Sequence, residues 1–206
     1  MKKLIIVVIV FMGAAMFAPR NLDAGVGIKA GYSSSQFALS SSGEIPFDWG
    51  PLSSFTGGLY FSLGLGFFSV QPEILYTRMG GRYEVDADSL EFRFDYVQVP
   101  VLLKLNIIPA GPIRPFIYGG AYGGYLVKAT GVMVTGGETI SEDIRDTFQE
   151  FDYGVLGGVG LTFKLVGIAL TVEGRYNYGL QNLYIEPAEG EFMRNTSMVG
   201  LVGIHF

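Results

Sequence analysis

Two charges of opposite sign lie close together in residues 170–180. Glu173 and Arg175 share one face with Thr171 and Asn177, while the alternate positions are Leu, Val, Gly and Tyr. A period of two is typical of a β-strand with one polar and one apolar face. Charges placed in this way suit an ion pair, a proton path or a gate inside a polar interior.

Three further charged residues occupy the polar faces of other alternating segments, namely Glu73, Lys29 and Lys104. Together with Glu173 and Arg175 they make three bases and two acids, which predicts mutual pairing in a confined lumen because unpaired buried charge is very costly. Glu73 and Glu173 lie at similar distances from the short turns before their strands, so we expect similar heights. Lys29 and Lys104 are expected nearer the periplasmic end and in more contact with water. The structural interpretation is a lumen filled by side chains, and the functional alternative is a path for protons or ions.

Other kinds of chemistry have little support in the residue types. His205 is the only histidine, and it lies at the predicted periplasmic edge, whereas an acyl-transfer site would need His beside Ser and an acid at the outer rim. Cys is absent, which excludes a thiolate nucleophile and a disulfide framework. Asp86, Asp88 and the acids of residues 138–152 match no defined calcium loop, so we interpret them as solvated loop charge. We therefore expect no enzymatic activity, no cofactor and no metal.

Eight alternating segments must position these charges. They are predicted at residues 26–33, 55–63, 67–78, 95–105, 116–127, 153–163, 170–180 and 196–206. The connections alternate between long and short, as in outer-membrane barrels with short periplasmic turns and long outer loops. The predicted fold is therefore all-β, an eight-stranded antiparallel up-and-down transmembrane β-barrel. The faces of the fifth segment stay unassigned, and Pro72 predicts a bulge or a local distortion of the third.

The first 24 residues predict export from the cytoplasm. Lys2 and Lys3 precede an apolar run over 4–18, and small residues follow up to a cleavage point after Ala24. An uncleaved anchor is the alternative, but the run is short for a span of about 20 residues. Residues 1–24 are thus predicted to be a signal peptide and residues 25–206 the barrel domain, which crosses the membrane with strands.

The composition favours the membrane barrel over a soluble one. Only 16% of the residues are charged, whereas a soluble domain usually has about a quarter. A soluble, lipocalin-like barrel would turn its apolar faces inward around a greasy ligand, and its polar faces would carry many more charges. The formal net charge of −5 argues against a nucleic-acid partner.

Aromatic residues recur near the predicted strand ends, as in the girdles at the two membrane interfaces. The candidates for these interface positions are Tyr76, Tyr153, Tyr176, Tyr178 and Phe206. Phe206 ends an alternating apolar face and resembles the terminal signal recognised by the outer-membrane assembly machinery. We therefore expect outer-membrane lipid and that machinery as partners.

Several stretches resemble a known group of outer-membrane proteins. Gln71-Pro72-Glu73 and Arg175-Tyr176-Asn177-Tyr178-Gly179-Leu180 are the most specific, with further matches in 27–31, 95–100 and 114–120. They resemble the PorT-like outer-membrane β-barrel family over essentially the whole chain after residue 24. The resemblance implies an eight-stranded outer-membrane barrel and, through the founding member, secretion-system proteins as partners. We expect a structural or interaction protein that acts through acidic extracellular loops, with a passage for apolar molecules as the alternative.

Overall fold

The structure is a computed structural model, and its backbone is almost entirely β-strand. It describes residues 23–40, 49–85, 88–136, 138–185 and 192–206. The predicted signal peptide lies outside this range apart from Asp23 and Ala24, which begin the first strand. Within the described ranges, no helix has the length and apolar character needed to cross a membrane.

Nine strands follow one another along the described chain. They are β1 (Asp23–Ser40), β2 (Gly50–Leu65), β3 (Phe68–Val85), β4 (Asp88–Asn106), β5 (Ile113–Thr135), β6 (Glu138–Asp143), β7 (Phe151–Lys164), β8 (Ala169–Gly179) and β9 (Phe192–His205). A single 3₁₀ turn, Arg145–Thr147, lies between β6 and β7.

Eight of these strands close into a ring in the order β1-β2-β3-β4-β5-β7-β8-β9. Each strand pairs antiparallel with its neighbours, and β9 pairs back with β1 from Gly27↔His205 to Ser40↔Phe192. The strand β6 stands outside the ring and pairs with the last residues of β5. The predicted all-β, eight-stranded, up-and-down barrel is therefore confirmed.

The two ends of the barrel differ in their connections. At one end, here called the short-turn end, strands are joined by residues 66–67, 107–112 and 165–168. At the other end, here called the extended end, β1, β3, β4, β5 and β9 run well past their predicted bounds. The charges of interest lie on strands, so the position of a residue along its strand fixes its height between these two ends.

Residues 37–40, 50–54, 79–85, 88–92, 128–135 and 138–143 lie between the predicted segments, yet the structure places them in strands. β3 and β4 form a hairpin up to Val85↔Asp88, and β5 turns back at Gly136 to pair with β6. Gly136 has a positive φ of 60°, which the tight turn requires. Serine and acidic residues have a low preference for strands, but cross-strand pairing holds them in a ladder here whatever their intrinsic preference.

Alternate residues of each strand face the lumen and the outside. On β8, Glu173 and Arg175 are buried, whereas Val172 and Tyr176 face outward and are exposed. This orientation contradicts the lipocalin-like alternative, which requires apolar faces toward the interior. The faces of β5, left open by the sequence, are also defined, because its large rings, such as Phe116, point inward.

The hydrogen-bonded pairing of β3 is interrupted at Pro72 on the β2 side and opposite Pro100 on the β4 side. Pairs with β2 are missing between Tyr60↔Glu73 and Leu63↔Val70, and pairs with β4 are missing beyond Pro72↔Val101 as far as Leu75↔Gln98. The register before and after the interruption is the same. The distortion is therefore a local loss of pairing and not a bulge, as expected where Pro72 and Pro100 each lack the N–H that would bond to the neighbouring strand.

Candidate functional site

Four charged side chains meet inside the barrel and form what we call the charge network. Lys29 Nζ donates to Glu73 Oε1 at 2.6 Å and to Glu173 Oε1 at 2.7 Å. Arg175 donates from Nη1 to Glu73 Oε2 at 2.8 Å and from Nη2 to Glu173 Oε1 at 3.2 Å. None of the four side chains exposes more than 2% of its surface.

Three strands that are not neighbours supply these charges. Lys29 projects from β1, Glu73 from β3, and Glu173 and Arg175 from adjacent inward positions of β8. The contacts therefore cross the lumen, which is possible because eight strands enclose an interior only wide enough for side chains to fill. Two full positive and two full negative charges cancel, so the network is neutral as a unit.

A second layer of contacts holds the network in place. Gln71 Nε2 donates to Glu73 Oε1 at 2.6 Å, and Arg175 Nε donates to the Tyr118 hydroxyl at 3.2 Å. The ring of Tyr118 also lies against the guanidinium of Arg175, with 5.4 Å between the ring centroid and Cζ. Gly158 makes room for this ring, since a Cβ built there would lie 2.5 Å from the Tyr118 hydroxyl. Each charge is thus hydrogen-bonded and oriented, as buried ion pairs require.

The two lysines do not behave as the sequence predicted. Lys29 is 4% exposed and belongs to the charge network itself, so its expected wetter position is wrong. Lys104 lies nearer the short-turn end but is also buried, at 7% exposure. Its Nζ donates to Gln71 Oε1 at 3.0 Å and lies 3.8 Å from the centroid of the Phe116 ring. The long lysine stem lets Lys29 reach across the narrow bore, which position along the strand alone does not show.

Above the charge network, toward the extended end, the lumen is polar but uncharged at most positions. Asn195 Nδ2 donates to Asp152 Oδ2 at 3.1 Å, and Asn177 Nδ2 donates to Ser197 Oγ at 2.9 Å. The Tyr122 hydroxyl lies 3.4 Å from Asp152 Oδ2. These residues form a layer that separates the charge network from the apolar interior beyond it.

The interior of the extended end is an apolar core that we call the apolar cap. Its buried members are Phe37, Met79, Phe94, Tyr96, Leu126, Ala129, Phe148, Leu183 and Met193. Phe148 and Leu183 come from the connections after β6 and β8, so these segments fold over the barrel opening. Phe94 and Phe148 meet edge to face, with 4.8 Å between their ring centroids. The sequence prediction missed this core, although the alternation of Phe92, Phe94 and Tyr96 was its signal.

The predicted interface aromatics lie on the outer wall at two heights. Tyr76, Tyr153 and Tyr176 are exposed near the extended end of the eight-stranded wall, and Tyr178 is partly buried. Phe206 is exposed at the short-turn end, as are Phe67 and Phe68. The ring of Tyr76 stacks on Phe55 of the neighbouring strand, with 6.0 Å between centroids. The outer wall between these heights is covered mainly by Val, Leu and Ile, as a lipid-facing band requires.

His205 lies at the short-turn end, where its ring stacks on Tyr60 with 5.7 Å between centroids. The acids of the β5–β7 connection lie at the opposite end of the barrel. Within the described ranges, no group of three or more His, Cys, Asp or Glu side chains is placed to hold a metal ion. The calcium interpretation involves Asp86, which lies outside the described residues.

Comparison with known families agrees with this geometry. A family model described as an outer membrane protein beta-barrel domain matches residues 17–184. The chain belongs to this family. It is therefore an integral protein of the outer membrane, and members with this topology turn their short connections toward the periplasm and their long ones outward. The short-turn end thus faces the periplasm. A search of curated proteins finds no match.

Several solved outer-membrane proteins share the architecture at low sequence identity. OprG from Pseudomonas aeruginosa is 12% identical, with a TM-score of 0.50 and coverage of 89% of this chain and 96% of that chain. The neisserial surface protein A (NspA) is 15% identical, with a TM-score of 0.48 and coverage of 89% and 97%. Ail of Yersinia pestis, solved with the heparin analogue sucrose octasulfate, is 13% identical, with a TM-score of 0.42 and coverage of 89% and 99%. At these identities the likeness concerns the fold alone.

Proposed function

We propose that the protein is a closed, non-enzymatic barrel that anchors an interaction surface on the outside of the outer membrane. The observation that carries this proposal is that the lumen is filled at two heights. The charge network fills it within the membrane-spanning part, and the apolar cap fills it at the extended end. A continuous water path would have to break ion pairs at one level and displace packed rings at the other.

The extended end supplies the surface for a partner. Its strands continue well beyond the lipid-facing band and enclose a packed core, so the surface is held by a rigid scaffold. The β5–β7 connection carries exposed acids, including Glu142 and Asp146, and the apolar Ile140 beside them is 59% exposed. Acids beside exposed apolar side chains favour a basic protein partner, because charge steers the encounter and apolar contact holds the complex.

Conductance measurements test the closed lumen. The purified full chain in a planar lipid bilayer should give no steady current, and the variant Glu73→Ala, which opens a gap and removes one of the two carboxylates paired with Lys29, should give brief openings. Tyr32→Ala, a change on the lipid-facing wall of β1, serves as the matched control and should stay silent. A steady open channel in the unaltered protein would overturn the proposal.

Cross-linking on intact cells tests the interaction surface. Glu142→Lys should reduce cross-linking of the extended end to its partner about tenfold, because like charges repel the basic surface. Glu84→Lys, an equivalent change on the exposed β3–β4 hairpin, is the control for a general change of charge. Equal cross-linking in all three proteins would contradict an acidic contact at the β5–β7 connection.

Involvement in protein secretion belongs to the same proposal and is supported by the PorT-like resemblance of residues 71–73 and 175–180. Deletion of the gene should then lower the amount of secreted protein in the medium, and the chain should be recovered with components of a secretion system from intact outer membrane. Normal secretion in the deletion strain would remove this part and leave the closed-barrel proposal standing.

A passage for apolar molecules is the second candidate. The observation that favours it is the loss of pairing around Pro72, which weakens the wall between β3 and its neighbours. Against it, the lumen at that height holds the buried charges of Glu73 and Arg175, which an apolar molecule would have to displace. Uptake of a labelled hydrocarbon into vesicles containing the protein, compared with empty vesicles, separates the two candidates.

A further inference from the structure

A polar cavity opens into the lumen at the short-turn end. Its volume is about 200 Å³, and its wall includes Gly66 and Pro109 from two of the short turns. Gln71 and Lys104 form its inner part, directly below the charge network. The cavity is thus reached from the periplasm and ends against buried polar side chains.

The lining of this cavity carries the positive charges of Lys104 and Arg114. Lys104, Arg114 and Lys164 are among the lining residues, and no Asp or Glu is found among the lining residues that the structure describes. Arg114 donates from Nε to the Gly111 carbonyl at 3.1 Å, which fixes its stem near the rim. A concave site with converging cations attracts anions more strongly than a flat surface with the same charges.

Lys104 is the observation that points to a ligand. It is buried, yet it donates a hydrogen bond to the neutral side chain of Gln71 at Oε1, and no carboxylate in the described part of the chain forms an ion pair with it. The two acids nearby are already engaged, because Glu73 and Glu173 both bind Lys29 and Arg175. The buried ammonium of Lys104 has three hydrogen-bond donors and no ion-pair partner. Burying it in this state costs free energy unless an anion supplies both hydrogen-bond acceptors and the opposite charge.

We propose that this cavity binds a phosphate group, held by Lys104 at its base and by Arg114 at its rim. This inference is independent of the interaction surface proposed above. A volume of about 200 Å³ is below the size of a drug-like site of about 300 Å³ or more, so it suits one small oxyanion. The fork of an arginine and the point charge of a lysine are the usual partners of phosphate.

Two sources present this chemistry to the periplasmic side. One is a free phosphate or phosphate monoester in the periplasm, and the other is the headgroup of an anionic phospholipid in the inner leaflet, which surrounds the short-turn end. Both would place phosphate oxygens at the same two cations, so the experiment must compare them with one set of variants.

The test uses the full chain, purified and folded in detergent, and titrated calorimetrically with inorganic phosphate. In a parallel arm, native mass spectrometry counts the phosphatidylglycerol that the protein retains from mixed vesicles of phosphatidylglycerol and phosphatidylcholine. Lys104→Gln should raise the dissociation constant about tenfold or more, since a hydrogen bond to a charged group contributes the corresponding free energy. Lys128→Gln, an exposed change on the neighbouring strand β5, should bind like the unaltered protein.

The outcomes are distinct. Phosphate binding that depends on Lys104 supports a free oxyanion ligand, and retention of phosphatidylglycerol that depends on Lys104 without phosphate binding supports a lipid headgroup. Binding in neither arm, or binding that Lys104→Gln leaves unchanged, overturns the proposal. If Lys104→Gln does not fold, as judged by heat-modifiable gel migration, Arg114→Gln at the partly exposed rim must weaken binding instead.

Discussion

The barrel has two interiors of opposite polarity, built on the same strands. Within the membrane, ion pairs between Lys29, Glu73, Glu173 and Arg175 fill the lumen and apolar side chains face outward. At the extended end, Phe94 and its neighbours fill the interior, as in a soluble protein. The difference follows the medium outside: burying an apolar side chain gains free energy relative to water but little relative to lipid.

Single strands show the change of polarity along their inward faces. β1 presents Lys29, then Ser33 and Ser35, and then Phe37 to the interior. These side chains are all buried, so their polarity depends on their height in the barrel and not on their exposure. The position where serine gives way to phenylalanine marks, on this strand, the height at which the surroundings change from lipid to water.

The largest expected effect is the removal of a carboxylate from the charge network. Glu73→Gln leaves Lys29 and Arg175 sharing one acid, and breaking a buried pair in this way costs about 3–5 kcal/mol. Urea unfolding of the barrel in lipid vesicles measures the loss. Glu84→Gln, on the same strand but exposed, should change the free energy of unfolding by about 0.5 kcal/mol or less. Similar losses in both variants would mean that the network contributes nothing beyond a surface pair.

The next test concerns the apolar cap. Leu126→Ala removes a fully buried side chain from a water-surrounded core and should cost about 2–5 kcal/mol. Leu59→Ala makes the same chemical change at a position that is 60% exposed on the lipid-facing wall, so its loss should be clearly smaller. Unfolding monitored by tryptophan fluorescence compares the two. A larger loss at Leu59 would contradict the assignment of lipid outside and a packed core at the extended end.

A charge placed on the outer wall tests where the surroundings of the barrel change from lipid to water. Val101→Arg puts a charge at the height of Pro72, inside the lipid-facing band, and should cost about 2–4 kcal/mol. Ile140→Arg places the same charge on β6 at the extended end, where water surrounds it, and should change stability by about 0.5 kcal/mol or less. The yield of folded protein in the outer membrane, measured by heat-modifiable migration, should follow this order.

The smallest expected effect is the loss of one hydroxyl. Tyr118→Phe removes the acceptor of the Arg175 Nε hydrogen bond and should cost about 1.5–3 kcal/mol because the donor is charged and buried. Tyr125→Phe removes a hydroxyl that accepts from Arg145 in the partly exposed β5–β7 connection, and its loss should be about 1 kcal/mol or less. Equal effects would show that burial does not strengthen the contact to Arg175.

The sequence was sufficient for the eight strands of the ring and for the orientation of the faces of all of them except β5, because alternation indicates the faces and connection length indicates the topology. The ion pairs across the lumen could be predicted only in part. The strand positions of Glu73 and Glu173 predicted similar heights, and both now contact Lys29, but nothing local in β1 indicates that its lysine reaches strands β3 and β8. Such contacts depend on the shape of the closed ring, which no single segment contains.

The extended end was harder to predict for a different reason. In β6, all residues from Glu138 to Asp143 are exposed, so no alternation marks the strand, and its pairing with β5 depends on the turn at Gly136. The apolar cap draws on residues that are far apart in sequence, such as Phe37 and Leu183. In its own segment, each of these residues looks like a single apolar side chain in a loop. Only assembly of the barrel brings them into one core.

The seam between β1 and β9 has a consequence for the order of assembly. It joins the earliest and the latest strands of the described chain through pairs from Gly27↔His205 to Ser40↔Phe192. The other seven contacts of the ring join strands that are close in sequence, so hairpins can form locally while this one waits for the whole set. Until it closes, two unpaired strand edges face a medium that offers them no hydrogen bonds. Closure is therefore the step at which a partner that shields open edges, or a change that slows the final pairing, has the most influence on whether the protein reaches its native state.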